Sequence, residues 1–125
     1  MILCDTNIFI EIYKDNLAII NSIKSIGQHN LAISDVTCAE LLYGARNKRE
    51  LQIIRKDLNK LTILPIDSNI STKAVQLIEK YALSHKLSLP DALIASTAIT
   101  QNLELYTLNI KDFRFLEGVR LFCVK

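Results

Sequence analysis

Short apolar runs alternate along this chain with longer segments in which apolar residues recur every three or four positions. Ile2–Cys4 is the first such run, and the polar triplet Asp5, Thr6, Asn7 follows it directly. Between Asn16 and Ile26, Leu17, Ile20 and Ile23 fall at helical spacing, and Gly27 supplies a stop. Leu31–Ile33 reads as a second strand, after which Ser34 or Asp35 can cap a helix carrying Val36, Ala39, Leu42 and Tyr43. Arg46 to Lys60 predicts a charged amphipathic helix with Leu51, Ile54 and Leu58 turned inward. Thr62 to Ile66 predicts a third strand, and Pro65 favours an edge or strand-end place for it. Ser68 to Lys86 predicts a helix with Ala74, Leu77, Ile78 and Tyr81 on one face. Pro90 suits the first turn of a further helix carrying Leu93, Ile94 and Ile99. Glu104–Thr107 and Leu121–Val124 complete five predicted strands. This alternation predicts an α/β sandwich around a mainly parallel sheet, with strands short and apolar enough to be buried on both faces.

Composition trims the function classes. At 125 residues the chain is expected to be one domain, residues 1–125. Half of its residues are hydrophobic and 22% charged, which excludes intrinsic disorder. Gly27, Gly44 and Gly118 stand too far apart to build a phosphate-binding loop. Cys4, Cys38 and Cys123 form no Cys-x-x-Cys pair and lie in apolar surroundings, so they are expected to be small buried hydrophobes in a reduced compartment. No stretch is long and apolar enough to span a bilayer, and no basic leader opens the chain, so a cytoplasmic protein is expected. His29 and His85 read as lone histidines in polar connections, neither with a Ser or Cys in a plausible triad, which disfavours a hydrolytic triad.

The acids carry the chemistry. In open α/β sheets, sites form beyond the carboxyl ends of the strands. Asp5 follows the first strand, Glu40 lies on the helix entered from the second, and Asp112 comes shortly after the fourth. Asp91 stands in a first helical turn behind Pro90, with no strand directly before it. Singly, Asp5 reads as a helix cap, Asp91 as a first-turn acid and Asp112 as a turn residue. Jointly they map to one sheet edge. Two like charges about 4 Å apart repel by roughly 4 kcal/mol at an effective dielectric of 20. Four such acids brought together must therefore take up protons or hold a cation. An all-oxygen set without His or Cys suits Mg²⁺ or Mn²⁺, and with it metal-assisted phosphodiester hydrolysis. Thr6, Asn7, Thr107 and Asn109 stand beside the acids, where their hydroxyl and amide groups can orient carboxylates or metal-bound water.

Four segments together are familiar: Asp5-Thr6-Asn7 after a first strand, Ala39-Glu40-Leu41-Leu42-Tyr43-Gly44, Pro90-Asp91-Ala92-Leu93-Ile94-Ala95, and Thr107-Leu108-Asn109-Ile110-Lys111-Asp112-Phe113. They resemble the PIN-domain ribonucleases, and among these the VapC toxins, in order and over essentially the whole chain. The resemblance implies a PIN-like three-layer α/β/α sandwich with a short, mainly parallel central sheet. It implies that Asp5, Glu40, Asp91 and Asp112 hold Mg²⁺ or Mn²⁺ for an endoribonuclease. It also implies a VapB-type antitoxin that blocks the site and alone contacts operator DNA, an RNA substrate, and a homodimer.

Competing readings are a catalytically silent PIN-fold binding module and a phosphoacceptor receiver-like domain. A receiver wants paired acids near the start, and a dehalogenase-type phosphatase wants an Asp at position 7, where Asn7 stands. Tyr43 and Tyr106 read as core or rim aromatics. The net charge of +2 hides an uneven expectation, since setting the four acids aside leaves nine against fifteen bases. The predicted helix from Arg46 to Lys60 alone carries six bases against two acids. Its Arg46, Arg49 and Lys56 are candidates for contact with RNA or an antitoxin, weighed against a merely solvated face.

Overall fold

A computed structural model describes residues 1–124; Lys125, the last position of the expected domain, lies outside them. Five short strands, β1 (Ile2–Cys4), β2 (Leu31–Ser34), β3 (Thr62–Leu64), β4 (Glu104–Tyr106) and β5 (Arg120–Leu121), form one sheet in the order β3-β2-β1-β4-β5. All four pairings are parallel. Six helices connect and cover them: α1 (Thr6–Tyr13), α2 (Leu17–Ile26), α3 (Asp35–Tyr43), α4 (Lys48–Leu58), α5 (Ser68–His85) and α6 (Leu89–Thr100). The three-layer α/β/α expectation holds.

The layers follow from the two-residue period of the strands. Leu3, Ala32 and Leu105 point to one face and pack with Ala74, Leu77, Tyr81, Ile94 and Phe113 beneath α5 and α6. Cys4, Leu31, Ile33 and Tyr106 point to the other and pack with residues of α1, α2, α3 and α4, among them Ile8, Ile19, Leu41 and Leu58. As predicted, β3 is an edge strand, and it ends just before Pro65, whose missing N–H cannot extend a ladder.

Several local expectations are corrected. Helix α1 was not legible, because its sequence TNIFIEIY is rich in β-branched and aromatic residues. It forms because Asp5 accepts the Thr6 N–H at 2.8 Å as N-cap and because Ile8 and Phe9 are buried. On α2 the inward residues are Ile19, Ser22 and Ile23, with Leu17 71% exposed; a buried bond from Tyr106 Oη to Ser22 Oγ at 3.0 Å draws that face in. On α3 the buried residues are Thr37, Cys38 and Leu41, while Ala39 is exposed and Tyr43 is 93% exposed, outside any core. Leu51 of α4 is exposed, although Ile54 and Leu58 turn inward as expected. Strand β5 is shorter than Leu121–Val124, and Cys123 is exposed where a buried cysteine was expected.

Candidate active site

Parallel order brings the carboxyl ends of β1, β2 and β4 to one edge of the sheet, and the helices that begin there carry the acids. Asp5 directly follows β1 and caps α1; it is 5% exposed. Its Oδ1 accepts the Thr6 N–H at 2.8 Å and its Oδ2 accepts the Thr107 hydroxyl, also at 2.8 Å. Thr107 is itself held by the Asn109 N–H at 3.0 Å. Glu40, on the last turn of α3, takes the Thr6 hydroxyl on Oε1 at 2.7 Å. Asp112 ends a single 3-10 turn, Ile110–Asp112, and its N–H donates to the Asn109 carbonyl at 3.0 Å. Asp91 lies in the first turn of α6, where Ser88 caps the helix by accepting the Asp91 N–H at 3.3 Å.

The electrostatics show that the four acids share one field. Burial pushes Asp5 above the usual carboxylate range; the bonds from Thr107 and Thr6 oppose this, and Glu40 and Asp112 add to it. Asp91 is pushed up to about 6, first by burial and then by Asp5 and Asp112, against a lowering contact from Ser88 and with a further rise from Glu40. A capping, first-turn acid is ordinarily favoured in its charged form, so at both positions burial and like charge outweigh the helix end. Among the described residues the ion pairs are Arg46–Glu50 and Lys80–Glu117, and neither touches these acids.

Residues 2–117 match the model of the PIN domain. The chain is 33% identical over 122 residues to ribonuclease VapC10 of Mycobacterium tuberculosis, covering 96% of this chain and 91% of that protein. The chain belongs to the PIN-domain family, among its VapC ribonucleases. This PIN domain is also 30% identical to the tRNA(fMet)-specific endonuclease VapC of Shigella flexneri, with 93% of this chain and 92% of that one covered. It superposes with a TM-score of 0.81 on VapBC2 from Rickettsia felis, solved bound to a DNA fragment from their promoter, at 30% identity and 98% coverage of both chains.

Not every candidate of the PIN domain acts as its sequence suggests. Asn7 Oδ1 accepts the Leu108 N–H at 3.4 Å, tying α1 to the loop after β4, and its Nδ2 is buried without a partner. Asn109 contributes its backbone, not its exposed side chain. Arg46 precedes α4 and folds back on Glu50, its Nη2 2.8 Å from Oε2, so it is not a free cation. Arg49 and Lys56 are exposed on α4. Two participants were missed. Ser88 was legible as the first residue of a Ser-x-x-Asp capping pattern. Thr37 stands one helical turn before Glu40, 3.2 Å from the Thr6 hydroxyl. Beside the acids, Thr6 and Glu40 also line a groove of about 570 Å³ between α1, α3 and α4, with Ile10, Tyr13, Leu41 and Ile53.

The donor set bears on the cation. Among the described residues, no three His, Cys, Asp or Glu side chains close into a metal cage by themselves. A hard cation still fits what is present. The donors are oxygens only, Asp5 keeps lone pairs beyond its two hydrogen bonds, and the shared negative field has no protein cation in it. Mg²⁺ takes one or two carboxylates and fills its other positions with water, so acids that share a field without closing on a point suffice.

Proposed function

We propose that this chain is a Mg²⁺- or Mn²⁺-dependent endoribonuclease, the toxin of a toxin–antitoxin pair. The observation that carries the proposal is the convergence of the four acids: Thr6 bonds both Asp5 and Glu40, and Asp91, pushed up to about 6 first by burial, is raised further by Asp5, Asp112 and Glu40. These four would hold the ion, which when bound polarises a phosphoryl oxygen and supplies an activated water. The chain's own contribution is orientation: Thr107 and Thr6 fix both oxygens of Asp5, and Thr6 also fixes Glu40. Both acids of α4 are engaged, Glu50 with Arg46 and Asp57 with the Tyr13 hydroxyl at 2.9 Å. That leaves Arg49 and Lys56 to meet RNA phosphates. The relative from Shigella flexneri, named for tRNA(fMet), makes tRNA a first substrate to try.

A VapB-type antitoxin is the proposed occupant of the groove between α1, α3 and α4, where it would cover Thr6 and Glu40 and bring operator DNA only through its own other half. A homodimer is the proposed cover for Val75, Leu83 and Leu89, which stand exposed on α5 and α6. The second reading is a PIN-fold binding module without catalysis. One experiment separates the two. The purified chain should cut single-stranded RNA or tRNA with Mg²⁺ or Mn²⁺ and stop with EDTA, and Asp5→Asn or Asp91→Asn should abolish cutting and any growth arrest on expression. Unchanged cleavage in both variants overturns the site; RNA binding by the wild-type chain without cleavage establishes the silent module.

A further inference from the structure

Thr37 is fully buried on α3, and its one side-chain hydrogen bond among the described residues is to Thr6. Packing alone does not call for a hydroxyl there, since valine has the same shape. Proton counting assigns the hydroxyl a direction. Thr6 Oγ1 has one proton, and the Glu40 carboxylate, an acceptor when ionised, takes it at 2.7 Å. The 3.2 Å contact between Thr6 and Thr37 must then use the Thr37 proton. The bonds therefore run in series, from Thr37 to Thr6 to Glu40, and hydrogen bonds in series polarise one another. The backbone N–H of the same Thr6 donates to Asp5. One residue thus holds two acids, and the buried hydroxyl of Thr37, on the same helix as Glu40, keeps its side chain from rotating to another staggered position.

We propose that Thr37 is a positioning residue of the acidic site, fixing the Thr6 hydroxyl and through it the Glu40 carboxylate. This rests on the reading of Asp5, Glu40, Asp91 and Asp112 as the metal site.

The test compares Thr37→Val, which keeps the shape and removes the hydroxyl, with Thr37→Ser, which keeps the hydroxyl and removes a methyl. Mn²⁺ is the probe, its affinity read from the shift in thermal midpoint on titration, alongside kcat and KM on RNA. Thr37→Val should weaken Mn²⁺ binding roughly tenfold, the low end for residues that support metal ligands, and lower kcat with KM unchanged. Thr37→Ser should stay near wild type in both. In a Thr6→Val background, Thr37→Val should add nothing, because the two act in one line. Wild-type Mn²⁺ affinity in Thr37→Val, an equal loss in Thr37→Ser, or additive losses in the double variant each overturn the proposal. Asp5→Asn is the control: if it binds Mn²⁺ and cuts RNA as wild type does, the site reading falls and the proposal with it. If Asp5→Asn fails while Thr37→Val is unaffected, only the role of Thr37 is refuted.

Discussion

The two faces of the sheet are finished differently. Beneath α5 and α6, side chains such as Ala74, Leu77, Ile94 and Phe113 are almost wholly removed from water. On the opposite face the inner residues are equally buried, but the outer helices leave Ile10, Tyr13, Leu51 and Ile53 between 43% and 48% exposed. The outer sides of α5 and α6 also leave Val75, Leu83 and Leu89 exposed. The second face leaves apolar surface around a groove that reaches the acids, which is where a partner would gain most by docking.

The sharpest way to break this comparison is to truncate one residue on each side. Phe113→Ala should cost about 3–5 kcal/mol, because a fully buried ring leaves a cavity. Ile53→Ala should cost less than about 1 kcal/mol, because a half-exposed side chain loses little on truncation, and it should instead weaken binding of the antitoxin. Urea unfolding of the two variants checks both values, and equal costs would erase the distinction between the faces.

A smaller effect should appear at the acids. Asp91 protonates near 6 in the folded chain, against an ordinary value of 3.8. The folded state therefore binds the proton more readily than the unfolded one, and without metal its stability should fall as pH rises from about 4 to about 6 and stay low above that. Asp91→Asn should accordingly raise the thermal midpoint in EDTA by a few degrees at pH 7.5 and change it little near pH 4. An unchanged midpoint at both pH values would show that neither burial nor the neighbouring acids raises Asp91. Added Mn²⁺ should raise the wild-type midpoint and leave that of Asp91→Asn nearly still.

These contrasts also explain what was legible in the sequence. On α5, Ala74, Leu77, Ile78 and Tyr81 were assigned to the core correctly, because that helix has its apolar stripe covered by its own chain. On α3 and α4 the same rule misplaced Tyr43 and Leu51, which keep the apolar spacing of a core face yet stand exposed. On α3 the true inner face contains Thr37, and a polar residue there breaks the apolar period. The positions of Asp5, Glu40 and Asp112 follow from topology once the strands are placed, whereas Asp91 follows a helix and has no strand directly before it. The supports of the acids do not follow from topology: Thr37 matters through a contact with Thr6, and nothing at position 37 alone announces it.

The bond from Thr107 to Asp5 joins residues 102 positions apart, and Asp112, whose charge Asp5 and Asp91 both feel, comes later still. During synthesis the first acid is therefore made early and waits for nearly the whole chain before its surroundings exist. At roughly 5–20 residues per second, that leaves several seconds in which a growing chain holds Asp5 and Glu40 but no complete site. On the proposed site, two of the four acids, Asp91 and Asp112, are therefore added only in the last third of the chain.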